Sequence, residues 1–292
     1  MKFDIKNALI LIRPHQYIKN LCIFMPLFFV GKITNLELFL DTIIAFIAFS
    51  LSASSVYILN DYQDIKDDRH HPQKKLRPLA SGLISKKQAI VLMSVLFIIG
   101  AFLMGTLSFQ AFGILCAYII LNIGYSFYLK HIAILDVSII AIGYVLRLFV
   151  GSIVSETSLS MWIVIMTFLL ALFMALAKRR DDVVLFLDTG KKMRKVIDGY
   201  NLQLIDGAMM IMASVVIVAY ILYATSKEVL QRMQNEYVYL TALFVILGIM
   251  RYLQIAFVEN SSGSPTKIVL TDRFMQITIL AWVLSFVWII YL

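Results

Sequence analysis

Three aspartates follow an apolar stretch near residue 60, at a spacing that brings their carboxylates together. Asp61, Asp64 and Asp68 share one face if the chain is helical there, and Asn60 adds an amide oxygen next to them. Like charges at this spacing repel by about 0.2–0.5 kcal/mol per pair, so a positive partner is expected. Mg²⁺ prefers oxygen ligands and commonly keeps substrate phosphate among them. We therefore predict that the three aspartates are catalytic residues and bind Mg²⁺.

Basic residues follow the aspartates at once and include Arg69, Lys74 and Arg77. Cations next to metal-binding carboxylates suit a diphosphate ligand, whose remaining charge Arg and Lys can neutralise. The alternative is a solvated helix end with ordinary loop charges, which explains the basic residues but not carboxylates in register. We predict that these three residues and Asn60 bind substrate.

A second charged segment follows residue 177 and contains Lys178, Arg179, Asp182, Arg194 and Asp198. Two intrahelical ion pairs, Lys178 with Asp182 and Arg194 with Asp198, would explain these residues as a structural feature. The functional interpretation makes the segment a second wall of the same site. In that case Asp182, or Asp181 in its place, is a catalytic residue that assists the metal ion, and Lys178, Arg179 and Arg194 hold phosphate.

Three further positions are candidates with an open alternative each. Lys19 lies in a polar stripe at the start of an apolar segment, where it would bind a lipid phosphate or anchor the interface. Tyr128 would contact substrate in a cavity or pack against lipid. Arg147 lies inside an apolar helix, where charge is costly, and would face a polar cavity or pair with Glu156.

The composition indicates which elements position these residues. The chain has 292 residues, of which 61% are hydrophobic and 15% charged, whereas soluble domains have about 25% charged residues. Its mean hydropathy is +0.85. Long apolar runs with few prolines favour helices, because helices satisfy their own backbone hydrogen bonds in lipid. We predict an all-α, polytopic membrane protein.

A spanning helix needs roughly 20 apolar residues, and about nine segments qualify. These predicted spans cover residues 14–31, 39–60, 88–107, 109–128, 134–152, 160–177, 206–225, 237–257 and 272–291. No linker separates two domains, so we predict one membrane-embedded domain over residues 1–292. Its charged loops, 61–87 and 178–203, would form a cytoplasmic cap.

The distribution of Lys and Arg orients these spans. With a cytoplasmic N-terminus, 22 of the 26 basic residues fall on the cytoplasmic side and 3 on the other, while Arg147 is intramembrane. Such asymmetry is typical of cytoplasmic loops. The net charge of +8 is therefore assigned to the membrane topology, and no nucleic-acid partner is expected.

The segment from Asn60 to Asp68 reads N-D-x-x-D-x-x-x-D, which resembles the first aspartate-rich motif of the UbiA superfamily of intramembrane prenyltransferases. The predicted helix pattern and the second charged loop fit the same superfamily along nearly the whole chain. The superfamily's second motif, D-x-x-x-D, is replaced here by Lys178-Arg179-Arg180-Asp181-Asp182. This departure argues against ordinary aromatic prenylation.

The chain is more similar to the decaprenyl-phosphate phosphoribosyltransferase branch of that superfamily. The matching features are Arg13-Pro14-x-Gln16-x-x-Lys19-Asn20, Asp68-Arg69-x-His71-Pro72-x-Lys74-x-x-Arg77-Pro78, Tyr125-Ser126, Lys130-His131, Lys178-Arg179-x-x-Asp182, Thr189-Gly190, Arg194-Lys195, Tyr200 and Asp272-Arg273-x-x-x-Gln276.

The resemblance implies a UbiA-like bundle in a prokaryotic cytoplasmic membrane, with a Mg²⁺-dependent active site that faces the cytoplasm. The implied partners are 5-phosphoribosyl 1-diphosphate as donor, a polyprenyl phosphate as acceptor and the lipid bilayer. Whether the protein forms a homo-oligomer is left open. The first alternative is prenyl transfer from a polyprenyl diphosphate to an aromatic or other small acceptor. A transporter is the remote alternative, because transporters usually place polar residues near the bilayer midplane.

Overall fold

The computed structural model describes residues 4–70, 74–190, 195–261, 263 and 265–292, and within these ranges the regular structure is entirely helical. The α-helices are α1 (Ile5–Ile12), α2 (Met25–Phe29), α3 (Leu36–Gln63), α4 (Ile65–His70), α5 (Lys86–Leu107), α6 (Phe109–Phe127), α7 (Leu135–Val154), α8 (Met161–Thr189), α9 (Leu202–Ala224), α10 (Lys227–Met233), α11 (Ala242–Phe257), α12 (Pro265–Thr271) and α13 (Arg273–Tyr291). Short 3-10 helices cover Pro14–Phe24, Lys74–Leu76, Leu129–His131, Lys195–Gly199 and Glu236–Thr241.

Eight helical segments are long and apolar enough to cross a membrane in the part of the chain that the structure describes. They are Leu36–Gln63, Lys86–Leu107, Phe109–Phe127, Leu135–Val154, Met161–Thr189, Leu202–Ala224, Glu236–Phe257 and Arg273–Tyr291. The structure thus confirms the predicted all-α, polytopic class and eight of the predicted spans.

The segment predicted as the first span, residues 14–31, is built differently. It consists of the 3-10 helix Pro14–Phe24 followed by α2. Arg13 has a left-handed backbone (φ 58°), and Pro14 and Pro26 lack the backbone N–H that a continuous helix would use. The predicted count of nine spans is therefore not confirmed among the described residues.

The chain divides into two compact units, each described by itself. Unit 1 comprises Met1–Lys130 and Leu146–Ser158. Its central element is α3, which packs mainly against α5 and also contacts α1, α6 and the 3-10 helix Pro14–Phe24. One apolar core of this unit surrounds Phe49 and Leu115, and a second surrounds Ile58 and Leu96.

Two glycines let backbones in unit 1 approach closely. A Cβ atom on Gly100 of α5 would lie 2.6 Å from the carbonyl oxygen of Ala48 in α3. A Cβ atom on Gly151 of α7 would lie 2.0 Å from the carbonyl oxygen of Ile23. The 3-10 helix Pro14–Phe24 is therefore packed directly against the backbone of α7.

Unit 2 comprises His131–Val145 and Leu159–Leu292. Helices α8 and α9 form its main packing contact, and α11 packs against both α9 and α13. Its core is one large apolar cluster that includes Phe173, Ile205 and Tyr252. The prediction that residues 1–292 form one domain stays a prediction.

Polar caps explain where the long helices begin and end. Ser85 and Gln88 form a reciprocal capping box at the start of α5, and Asn201 accepts a hydrogen bond from the Leu204 N–H of α9 at 2.7 Å. Gly190 ends α8 in the left-handed conformation (φ 67°), which glycine adopts without steric cost. Helix α8 thus continues beyond its apolar part and carries Lys178, Arg179 and Asp182 of the second charged segment.

Candidate active site

Two of the three predicted metal-binding aspartates are buried in unit 1 and share one cation. Asp61 lies in the last turn of α3 and Asp68 in α4, and both residues are 3% exposed. Arg77 Nη1 donates to Asp61 Oδ1 at 2.9 Å and to Asp68 Oδ2 at 2.7 Å. One guanidinium nitrogen of Arg77 therefore joins the two carboxylates.

Each of these carboxylates has a second basic neighbour. Arg13 Nη2 donates to Asp61 Oδ1 at 2.5 Å, and Lys74 Nζ lies 3.9 Å from Asp68 Oδ1. Burial raises the pKa of Asp68, while the positive charges of Arg77 and Lys74 offset part of that rise. The aspartates therefore lie in a group of side chains with more positive than negative charges.

Asp64 is separated from the other two aspartates by a break in the helix. Helix α3 ends at Gln63, Asp64 has a non-helical ψ of 5°, and α4 begins at Ile65. The Asp64 side chain is 32% exposed, and its Oδ1 accepts from Lys130 Nζ at 2.6 Å. Among the described residues, no three acidic, histidine or cysteine side chains are grouped closely enough to hold a metal ion.

Two predicted substrate-binding residues next to these aspartates have protein partners. The amide oxygen of Asn60 accepts a hydrogen bond from the hydroxyl of Ser126 in α6. Arg69 Nε donates to the carbonyl oxygen of Ala80 at 3.1 Å, so this side chain connects α4 to the segment around Ala80.

Lys19 lies on the 3-10 helix Pro14–Phe24, near two other cations. Arg13 and Arg147 both repel its ammonium group electrostatically. Within residues 4–70 and the other described ranges, Lys19 has no hydrogen bond or ion pair. A partly buried ammonium group among cations favours an anion as its partner.

Arg147 is buried in unit 1 at 4% exposure. Its Nε donates to Asn20 Oδ1 at 2.7 Å, and its guanidinium lies over the rings of Phe49 and Tyr118. Glu156 is exposed and forms no ion pair with Arg147, so the predicted alternative of that pair is wrong. Because α7 ends at Val154 and Glu156 lies beyond it in a turn, the two side chains belong to different environments.

Tyr128 follows the last residue of α6 and is 67% exposed. It directly precedes Leu129–His131, the short 3-10 helix that carries Lys130. Tyr128 is therefore two positions along the sequence from Lys130, the residue that pairs with Asp64. Its predicted contact with substrate stays a prediction.

Unit 2 contains the second predicted set, and its centre is a buried ion pair. Arg179 in α8 is 1% exposed, and its Nε donates at 2.5 Å to Oδ2 of Asp136, a fully buried residue near the start of α7. Arg179 Nη1 also donates to Asp182 Oδ2 at 2.9 Å. The geometry gives Arg179 two carboxylate partners, and its predicted role as a phosphate ligand stays untested.

The second segment has three further basic residues to consider, Arg180, Lys178 and Arg194. Arg180 is buried and donates to Asp206, Asn260 and the carbonyl oxygen of Ala256, which joins α8 to α9 and to the end of α11. Lys178 is partly buried in α8. Arg194 lies outside the described residues.

Several members of these groups were not singled out from their own sequence context. Lys130, Ser126 and Tyr200 are expected only from the family resemblance, Arg13 belongs also to the polar stripe that contains Lys19, and Asp136 is not predicted. An acidic residue at the start of an apolar span is a functional candidate by default, and that signal was available for Asp136. Apart from the family match, Ser126 had no comparable signal, because a serine in an apolar helix is common.

The chemistry that unit 1 can perform follows from its charges. Among the described residues of this group, the carboxylates of Asp61, Asp64 and Asp68 are contacted by four basic side chains. These are Arg13, Lys74, Arg77 and Lys130. Carboxylate and amide oxygens are the ligands that Mg²⁺ prefers, while the surplus of cations suits a phosphate-bearing substrate. The types of these side chains therefore suit a Mg²⁺–diphosphate ligand, although the acidic residues that the structure describes are not grouped closely enough to hold the ion by themselves.

The helical architecture and the aspartate-rich segment define a class of intramembrane transferase. The chain belongs to the UbiA prenyltransferase family, whose model matches residues 22–280. A structure of a UbiA homolog from Archaeoglobus fulgidus bound to DMAPP and Mg²⁺ has a similar fold, with a TM-score of 0.71 and 18% identity. The similarity covers 97% of this chain and 99% of that one, and it shows the fold.

Two curated relatives have a more specific name. The decaprenyl-phosphate phosphoribosyltransferase of Mycolicibacterium smegmatis is 31% identical over 282 residues, which cover 93% of this chain and 88% of the relative. The protein of the same name from Corynebacterium glutamicum is 28% identical over 286 residues, or 96% of this chain and 86% of the relative. The chain is thus similar to these phosphoribosyltransferases along almost its entire length.

Proposed function

We propose that this membrane transferase moves phosphoribose from 5-phosphoribosyl 1-diphosphate to a polyprenyl phosphate. The products are polyprenyl-phosphoryl-5-phosphoribose and diphosphate. The names of the relatives support this proposal, since the similarity to them extends over 93% and 96% of the chain.

The observation that carries the proposal is the excess of cations around the carboxylates of unit 1. Arg77 contacts two aspartates, and Arg13, Lys74 and Lys130 each contact one. A donor with both a diphosphate and a 5-phosphate brings more negative charge than a prenyl diphosphate. A site with this balance of charge is suited to such a donor.

The reaction breaks the bond between ribose C1 and the diphosphate oxygen, and the electron pair of that bond leaves with diphosphate. A new bond forms between ribose C1 and an oxygen of the lipid phosphate. That oxygen is already ionised near neutral pH, so no general base is required. Catalysis then consists of holding the two substrates in position and neutralising the charge of the leaving group.

The residues of unit 1 have separate roles in this proposal. Asp61, Asp64 and Asp68 would hold Mg²⁺, which supplies neutralisation of the leaving diphosphate when it is bound. Arg69, Lys74 and Arg77 bind donor phosphate, and Asn60 orients the donor. Lys19 binds the acceptor's phosphate, because it is a cation without a protein partner among the described residues. These assignments are proposals that rest on contacts within unit 1.

The remaining predicted residues are those of the second charged segment and Tyr128 of unit 1. Asp182 is catalytic, Lys178, Arg179 and Arg194 take phosphate charge, and Tyr128 contacts substrate. We further propose that the protein resides in a prokaryotic cytoplasmic membrane with its active site facing the cytoplasm. The 22 basic residues assigned to that side support this orientation.

The test is an assay with purified protein in detergent or liposomes, Mg²⁺, polyprenyl phosphate and 5-phosphoribosyl 1-diphosphate labelled in the ribose. We expect label to enter the lipid phase and transfer to stop on addition of EDTA. Transfer that is unaffected by complete removal of divalent ions would contradict the Mg²⁺ assignment. Failure of label to enter the lipid would contradict the donor assignment.

A second candidate is prenyl transfer from a polyprenyl diphosphate to a small acceptor. The DMAPP in the Archaeoglobus fulgidus structure favours this candidate. The same purified protein should be incubated with polyprenyl diphosphate and an aromatic acceptor. Release of diphosphate there, without phosphoribosyl transfer, would replace the first proposal with the second.

A further inference from the structure

Four side chains of unit 2 form one continuous chain of hydrogen bonds. The Tyr200 hydroxyl donates to Asp136 Oδ1 at 2.6 Å, and Asp136 Oδ2 accepts from Arg179 Nε at 2.5 Å. Arg179 Nη1 then donates to Asp182 Oδ2 at 2.9 Å. The chain thus includes the carboxylate that the sequence predicts to be catalytic.

The members of this chain differ in their access to solvent. The side chains of Asp136 and Arg179 are 0% and 1% exposed, whereas the side chain of Asp182 is 19% exposed. The ion pair of Asp136 and Arg179 is therefore shielded from solvent. Asp182 is the most exposed of the four side chains and could contact a ligand.

The buried end of the chain is fixed by backbone contacts. The Tyr200 hydroxyl also accepts a hydrogen bond from the backbone N–H of Ile134 at 2.7 Å. Close by, a Cβ atom on Gly199 would lie 2.5 Å from the Cβ of Ala133, so this loop packs tightly. Burial and the bond to Asp136 raise the pKa of Tyr200, which keeps its hydroxyl protonated as a donor.

Stability alone is a weak reason for this arrangement. A buried ion pair is often no more stable than apolar side chains of similar volume, because both charges lose their hydration. Geometry is a better reason, since the planar guanidinium of Arg179 presents separate nitrogens to two carboxylates. When Asp136 fixes Nε, the direction in which Nη1 reaches Asp182 is fixed as well.

We propose that Asp136 and Tyr200 are positioning residues that act through Arg179 to hold the Asp182 carboxylate in its reactive orientation. This inference rests on the proposed function, in which Asp182 is catalytic. It assigns a role in the reaction to two residues that need not touch substrate. Small misplacements of a catalytic group can lower turnover by up to about 100-fold, so loss of one bond in this chain should be measurable.

The test is a double-mutant cycle with Tyr200→Phe and Asp182→Asn in the phosphoribosyl-transfer assay. Tyr200→Phe should lower kcat about 10-fold and leave the KM of the lipid acceptor unchanged. In the Asp182→Asn background the same change should have almost no further effect on kcat, because there is no catalytic carboxylate left to position. Asp136→Asn, which keeps the side-chain shape, should behave in the same way.

Tyr220→Phe is the matched control for this cycle. Tyr220 is also a buried tyrosine of unit 2, and its hydroxyl has two partners, Thr241 at 2.7 Å and Trp282 Nε1 at 2.8 Å. Removal of the Tyr220 hydroxyl should lower the thermal midpoint about as much as Tyr200→Phe does. The kcat of Tyr220→Phe should stay at the level of the unmodified protein.

Two outcomes would overturn the positioning role. One is that Tyr200→Phe and Asp182→Asn reduce kcat by independent factors, and the other is that Asp182→Asn has normal kcat. Absence of phosphoribosyl transfer by the unmodified protein would contradict the proposed function instead. The same cycle, run in the prenyl-transfer assay, would then decide the positioning role.

Discussion

At the residue scale, the three aspartates of the N-D-x-x-D-x-x-x-D segment have different surroundings. Asp61 and Asp68 are buried and share Arg77, whereas Asp64 is 32% exposed and pairs with Lys130. Removing one partner of a buried ion pair costs about 3–5 kcal/mol, because a charge is left without compensation. Substitution of Asp61 or Asp68 should therefore affect both folding and catalysis. Substitution of the more exposed Asp64 should affect catalysis with little effect on folding.

Asp64→Asn should reduce phosphoribosyl transfer by at least about 100-fold, because one proposed ligand of the Mg²⁺ that would neutralise the leaving diphosphate is lost. Its stability should change by less than about 1 kcal/mol, as is usual for a solvent-accessible ion pair. Turnover and thermal unfolding in detergent measure the two effects. Asp67→Asn is the control, since Asp67 is exposed in the same short helix and should leave both unchanged. Near-normal turnover of Asp64→Asn would remove it from the metal site.

Lys19→Gln should raise the KM of the polyprenyl phosphate about 10-fold, because one charge-assisted hydrogen bond to phosphate is lost. The KM of the phosphoribosyl donor should stay the same. The thermal midpoint should not fall, since the variant also relieves repulsion by Arg13 and Arg147. A rise in the donor KM alone would assign Lys19 to the other substrate.

The sequence predicted the residue types at the first motif but not their partners. Charge and spacing were enough to select Asp61 and Asp64. Lys130 pairs with Asp64 across 66 positions, and Ser126 bonds to Asn60 across the same separation. Such contacts depend on the packing of α3 against α6, which a one-dimensional pattern does not specify. Asp136 differs, because an acidic residue at the start of an apolar span is a signal that the sequence itself contains.

At the scale of elements, hydropathy located the membrane-crossing part of each helix but not its full length. Span six was predicted to end at residue 177, and α8 continues to Thr189. The last turns of α8 are charged, so a hydropathy criterion excludes them although the helical hydrogen bonds continue. Gly190 marks the actual end, and this stop signal is local. The first predicted span is not confirmed for another reason: Pro26 lacks the N–H that one continuous helix over residues 14–31 would need, and the segment is divided into a 3-10 helix and α2.

Gly151→Ala should lower the stability of the protein by about 1–3 kcal/mol, as overpacking of a close contact usually does. The added methyl group would meet the backbone of Ile23 at 2.0 Å, and backbone cannot rotate away as a side chain can. Thermal unfolding in detergent measures this effect. The control is Gly113→Ala in α6, where no atom lies within 4 Å and a gain in helix propensity is expected. Equal thermal midpoints for the two variants would show that α7 can move away from Ile23.

At the scale of the whole molecule, composition was the strongest source of information. A mean hydropathy of +0.85 and the eight apolar helices found among the described residues agree on a polytopic membrane protein. The orientation of the chain in the bilayer rests on the distribution of Lys and Arg and stays a prediction. The division into two compact units was not predicted, because both contain apolar helices of the same kind and no linker separates them.

The predicted orientation can be tested with single cysteines in a variant that lacks Cys22 and Cys116. Lys87→Cys lies in the loop predicted to be cytoplasmic, and Gln231→Cys lies between the spans formed by α9 and α11, on the predicted outer side. Both native side chains are exposed. A membrane-impermeant thiol reagent added to intact bacterial cells should label Gln231→Cys, and Lys87→Cys should require permeabilisation. The reverse pattern would invert the topology.

The guanidinium groups of Arg13 and Arg77 also matter during biosynthesis. Both contact Asp61, and Arg77 contacts Asp68 as well, so the buried acids have their counter-charges within the polypeptide. A nascent chain can therefore insert and fold without waiting for a divalent ion. When a cell runs short of magnesium, we expect catalysis to slow while the amount of folded protein stays the same. Recovery would then need only ions and no new synthesis.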